Sequence, residues 1–259
     1  MKSWGQQSAH RFLVLAAAAG ALLLGGYLPA GHAGAAQKVS HGEGVGFAGA
    51  TVRTYLEQDP QGRPVSLGIE IPESILAKLP DKKATLHLGL PQAAKGLQYT
   101  FARFDWLPQG HEPPGVYDVP HFDFHFYMMP MEQVQKIAGG ADPVVVSSEF
   151  VPGDYISPGN QAVPAMGVHW VDKLGPEFNG RPFEKAFIYG AHAGEVIFLE
   201  PMATLAYLKS KPDFSADVKQ AQAVRKAGYY PRRYSIRYLP QQKVYRISLD
   251  DLVRREAMK

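Results

Sequence analysis

From Thr51 the chain alternates with a period of two. Val52, Thr54 and Leu56 share one face, and Arg53, Tyr55 and Glu57 share the other. After Asp59-Pro60-Gln61-Gly62 the alternation resumes, with Val65, Leu67, Ile69 and Ile71 on one side. Two such runs around a Pro/Gly turn predict a β-hairpin. Alternation recurs over 85–90 and 97–107, and most regularly over 121–129. Shorter strands are predicted over 144–150 and 167–172, a hairpin over 187–200, and a closing hairpin over 234–249. Helical spacing is confined to short stretches: 72–79, 131–137, 201–210, 217–226, and a terminal helix begun at Asp250. Residues 37–49 read as a loose arm. The segment 108–120 carries four prolines and reads as an irregular loop.

About ten strands and a few short helices, with no βα alternation, predict an α+β chain that is mainly β. The expected architecture is an antiparallel sandwich or closed barrel with a few short helices. No internal repeat and no composition shift divides residues 36–259, which are expected to form a single β-rich domain. GxGxxG, P-loop and GxSxG patterns are missing, so no nucleotide cofactor is expected.

The N-terminus follows a different rule. Lys2 and Arg11 are followed by an apolar run, Phe12 to Leu28, then Pro29 and the small residues Ala33-Gly34-Ala35. This predicts a cleaved signal peptide over 1–35, a periplasmic or secreted location in a bacterium, and no stable membrane span after its removal. The 259 residues contain no cysteine, which excludes disulfides and thiolate chemistry. With 27 Lys+Arg against 24 Asp+Glu the net charge is +3, too small to argue for a nucleic-acid partner. The charge is unevenly placed, at −7 over 36–200 and +8 over 201–259. That split suits contacts within the fold or between subunits, and a homo-oligomer is expected.

The chemistry concentrates in His121-Phe122-Asp123-Phe124-His125-Phe126-Tyr127. On a strand, His121, Asp123, His125 and Tyr127 face one side and three phenylalanines the other. Gly167-Val168-His169-Trp170 and the end of Val196-Ile197-Phe198-Leu199-Glu200 have the same character. His121, Asp123, His125, His169 and Glu200 are therefore the candidate ligands of a divalent metal: zinc, iron or manganese. His121 and His125 lie about 13 Å apart along a regular strand, so one ion takes residues two apart plus a group from another strand. His169 is expected to share the cavity of His121–His125. A buried hydrogen-bonded ladder, or metal-free catalysis or ligand binding, explains the same pattern. His111 reads as solvated, His87 as a surface strand residue and His192 as an inert hairpin tip.

The segments 111–129, 166–172, 194–202 and 228–238 resemble a family of exported bacterial proteins of unknown function, among them a thermophile protein under sigma-E/anti-sigma-E control. The resemblance implies a β-rich α+β fold, self-assembly and a link to envelope stress, and carries over no catalytic residue. A likeness to α-type carbonic anhydrases is read as convergence, since Asp123 separates histidines that are closer together there. Two functions are expected. One is a metal-dependent hydrolase or lyase acting on a small-molecule ligand. The other is a non-catalytic oligomeric envelope-stress protein that binds a ligand or assembles structurally.

Overall fold

The computed structural model describes residues 37–258; the predicted signal peptide over 1–35 lies outside them. Sixteen strands follow in chain order: β1 (Lys38–His41), β2 (Val45–Phe47), β3 (Ala50–Gln58), β4 (Pro64–Pro72), β5 (Ala84–Leu88), β6 (Phe101–Leu107), β7 (His121–Tyr127), β8 (Gly140–Ala141), β9 (Tyr155–Ile156), β10 (Gln161–Val163), β11 (Gly167–Asp172), β12 (Lys185–His192), β13 (Glu195–Thr204), β14 (Asp213–Asp217), β15 (Gly228–Leu239) and β16 (Val244–Arg255). Two short α-helices, α1 (Met131–Val134) and α2 (Leu205–Lys209), and a few 3₁₀ turns complete the described residues.

All pairings between these strands are antiparallel. One sheet runs β1-β3-β4-β16-β15-β14, with β2 added on β3. The other runs β5-β6-β7-β13-β12-β11-β10-β8, with β9 added on β11, and curls into a half-barrel. The fold is thus mainly β, in two antiparallel sheets. The sheets pack face to face over one apolar core. Leu56, Leu67, Ile69, Ile236, Ile247 and Leu249 from the first meet Phe104, Phe122, Phe124, Phe126 and Leu199 from the second. The rings of Phe187 and Tyr234 bridge the two at 5.0 Å between centroids.

Several local expectations give way to pairing. The arm over 37–49 holds β1 and β2, which add to β3. Residues 144–150 form no strand; Val144 and Val145 are exposed, and only a 3₁₀ turn at Ser148–Phe150 follows. The helix expected from Pro201 starts only at Leu205, because β13 extends through Thr204 to pair with His121. Over 217–226 there is no helix: Asp217 ends β14 and 218–226 are irregular. The helix expected after Asp250 is strand, since β16 stays in register with β15 out to Arg255. At the ends of β13 and β16 cross-strand pairing outweighs a weak helical propensity. No helix among the described residues is long and apolar enough to cross a membrane.

Candidate metal centre

β7 is central in the half-barrel, paired with β6 on one side and β13 on the other, and buried on both faces. Its phenylalanine face fills the core between the sheets. The opposite face is equally buried: His121 and His125 are 0% exposed and Asp123 2%. It is roofed by the 108–120 loop and by a smaller apolar cluster of Tyr117, Phe183, Ala186, Ile188 and Met202. The register sets its neighbours. Asp105 of β6 lies opposite Asp123, and Arg103 opposite His125. Met202 of β13 lies opposite Asp123, which puts Glu200, two residues back, level with His125.

His169 arrives from two strands further on. It pairs with Gly190 of β12, and Gly190 pairs with Phe198 of β13. A side chain at Gly190 would overlap the Phe198 ring, several atoms of which lie within 3.0 Å of an ideal Cβ. The missing Cβ lets Phe198 lie across the strand, where its ring packs at 4.9 Å from His125 and 5.3 Å from His169. A register shift beside Gly190 re-aims the chain at this point, as bulges do.

Two groups of ligand-type side chains result, each with its donor atoms within 4.8 Å of one another. The inner set is His125, His169 and Glu200: His125 Nε2 lies 3.4 Å from Glu200 Oε1, and His169 Nε2 lies 3.6 Å from Oε2. The outer set is His111, His121 and Asp123: His121 Nε2 lies 3.2 Å from Asp123 Oδ1, and His111 Nε2 lies 3.7 Å from Oδ2. Tetrahedral coordination at about 2.05 Å from the ion places ligand atoms about 3.3 Å apart. All four separations lie near that edge length. Among the described residues, His121 Nε2, Asp123 Oδ1, His125 Nε2 and Glu200 Oε2 are buried with no hydrogen-bond partner. Such groups are costly, and here each faces another ligand-type atom. Both sets could hold a metal ion.

The electrostatics of the two sets differ. Burial, followed by the nearby Asp123 and Asp105 charges, pushes the Glu200 carboxyl well above its ordinary range. Burial holds His125 well below the ordinary imidazole value and brings His169 down to about 4. Burial thus favours the uncharged form of all three groups when no ion is bound. In the outer set burial opposes charge on Asp123, but the His111 and His121 rings override it and hold the carboxyl far below the ordinary range. Burial likewise opposes a proton on His111, and Asp123 overrides it.

Supporting groups surround the ligands. Arg103 donates from Nε to Asp105 Oδ2 at 2.7 Å and from Nη2 to Oδ1 at 3.1 Å, and a third N–H reaches the Ala165 carbonyl. Thr85 also donates to Asp105. Asp105 Oδ2 lies behind the His125 ring, 3.7 Å from Nδ1, and His125 Nδ1 makes no hydrogen bond.

The structure thus divides the five sequence-predicted residues. His125, His169 and Glu200 meet in the inner set, and His121 and Asp123 sit in the outer one. His111, expected to be solvated, reaches Asp123. Its proximity is set by the fold of the Pro-rich loop, which periodicity cannot reveal. Arg103 and Asp105 were also missed; their signal was two opposite charges on one face of an aromatic strand. His87 is exposed. His192 Nδ1 lies 2.6 Å from Asp142 Oδ2, which fixes the β12–β13 hairpin tip.

The chain matches a family model described as TTHB210-like, Hypothetical protein TTHB210, over residues 59–106. That segment contains β4, β5 and the Arg103–Asp105 pair, and stops before the ligand-bearing strands. No curated protein and no solved structure matches the chain. Over 59–106 the chain is therefore similar to a family described only by a hypothetical protein.

Proposed function

We propose that this chain is an exported bacterial metalloprotein. Residues 1–35 direct it to the periplasm or beyond and are removed, and the inner set holds one divalent ion: zinc, iron or manganese. Bound there, such an ion supplies a Lewis acid and an activated water for a hydrolase or lyase reaction on a small molecule. One observation carries the reading: His125 Nε2 and Glu200 Oε2 are buried without hydrogen-bond partners and, with His169, meet within ligand-sharing distance. Two imidazoles and one carboxylate with open positions suit zinc hydrolases and ferrous centres alike. His125 and Glu200 are sealed, whereas the His169 side chain is 22% exposed, so a substrate reaches the ion from the β11 side. The test is metal analysis of protein purified without chelators, beside His169→Ala. At least one ion per chain in the wild type, and one fewer in the variant, supports the reading; no ion refutes it.

A second reading, a self-assembling envelope-stress protein without catalysis, is favoured by exposed apolar side chains. Val144, Val145 and Leu174 are each more than half exposed, and such residues are commonly covered by a second subunit. Light scattering tests it; a stable monomer would count against it.

A further inference from the structure

We propose that His111, His121 and Asp123 form a second divalent-cation site, and that its ion pins the 108–120 loop to β7. The site shares no ligand with the inner set, so the proposal stands or falls separately.

The hydrogen-bond arrangement carries the argument. The His121 Nδ1–H donates to the Val119 carbonyl at 2.7 Å, and the His111 Nδ1–H donates to the Glu112 carbonyl at 2.6 Å. A backbone carbonyl only accepts, so each Nδ1 bears a proton, and a ring without a second proton presents an Nε2 lone pair. Both Nε2 atoms point at the same carboxylate, with His121 Nε2 only 3.2 Å from Asp123 Oδ1. Neither of those two atoms has a hydrogen-bond partner. Acceptors this close, in residues at most 2% exposed, repel unless a cation lies between them. A carbonyl behind each ligating ring is the usual support of a metal-bound histidine. The donor set of two nitrogens and one carboxylate oxygen favours a zinc-class ion over calcium or magnesium, which prefer all-oxygen cages.

The ligands come from elements of different kinds. His121 and Asp123 lie in a central strand. His111 lies in the loop joining β6 to β7, which is tied across itself by the bond from His111 N–H to the Tyr117 carbonyl. An ion here cross-links the loop to the sheet and closes it over the polar face. A proton on His111 is the competing cation, and the test separates the two.

The experiment is equilibrium dialysis of the full protein against zinc, with limited proteolysis of the 108–120 loop. Wild type should bind two zinc ions. His111→Ala, on a partly exposed loop residue, should bind one. Asp123→Asn, which keeps the side-chain shape, should also bind one, with affinity at the lost site down at least about 100-fold. His169→Ala should retain the outer ion. Zinc should slow loop cleavage in wild type and in His169→Ala, and not in His111→Ala. Two ions in both His111→Ala and Asp123→Asn overturn the proposal. So does a single wild-type ion that survives His111→Ala and vanishes in His169→Ala; that result leaves the inner centre standing. The opposite pattern keeps the outer site and removes the inner one. No zinc in wild type overturns both, and leaves the proton as the outer cation.

Discussion

Gly190→Ala tests the geometry of the inner set without altering a ligand. The new methyl group would fall inside 3.0 Å of several Phe198 ring atoms, against ordinary carbon contacts of about 3.5–4.0 Å. The ring must retreat by about 1 Å or more. It has no room: Phe198 is 0% exposed and packs against Tyr127 at 5.1 Å, as well as His125 and His169. Overpacking a tight core costs about 1–3 kcal/mol. For a domain of this size, about 2 kcal/mol lowers the melting temperature by about 4–8 °C. The displaced ring also pushes on two ligands, so ion affinity should fall with stability. Calorimetry and zinc titration on one preparation give both numbers. Gly190→Ala/Phe198→Leu removes the ring atoms that clash, so its destabilisation should be smaller than the sum of the two single changes. Wild-type melting and wild-type zinc affinity in Gly190→Ala would refute the view that Phe198 braces the site.

Other consequences can be measured in parallel. Glu200→Gln should leave metal-free stability within about 0.5 kcal/mol, because burial already disfavours the charge that the change removes. Its ion affinity should nevertheless fall at least about 100-fold, and the proton released on wild-type ion binding should disappear when calorimetry is repeated in buffers of different ionisation enthalpy. His169 titrates near 4 when folded and near 6.5 when unfolded, so the unfolded chain binds the extra proton first. Its contribution is complete above about pH 6.5 and is lost as pH falls toward 4. With its ring 22% exposed, metal-free wild type should lose about 2 kcal/mol relative to His169→Gln across that window, measured by urea denaturation. Asp105→Asn leaves the buried Arg103 without its charge partner and should cost about 3–5 kcal/mol in the same assay.

The sequence showed most where one strand carries its own evidence. The two-residue alternation of β3, β4 and β7 reflects faces buried against different things, and a single strand displays it. The His-Asp-His face of β7 stood out because phenylalanine on alternate positions commits the other face to the core. What stayed hidden depends on partners. Val144 and Val145 look like strand residues, but no neighbour pairs with them. The segment after Asp250 looks like a capped helix, but β15 is long enough to hold it as strand. His121, Asp123 and His125 read as one site, yet the strand's rise separates them. Each half was completed by residues from elsewhere, His111 from a loop and Glu200 with His169 from distant strands. Which half gains which partner depends on the register of β13 against β7.

That register also determines when the inner pocket comes into being. His125 and Glu200 are seventy-five residues apart in the chain and are brought level only once β13 has docked on β7. Contacts so distant in sequence are late and slow to form, because the entropy of closing the intervening loop precedes any reward. A partly folded chain offers at most isolated imidazoles and carboxylates, all weak and unselective binders. Under the proposed reading, ion capture waits until folding is complete. With the proposed export, the compartment where the chain folds, rather than the one where it is made, decides which ion the inner set takes.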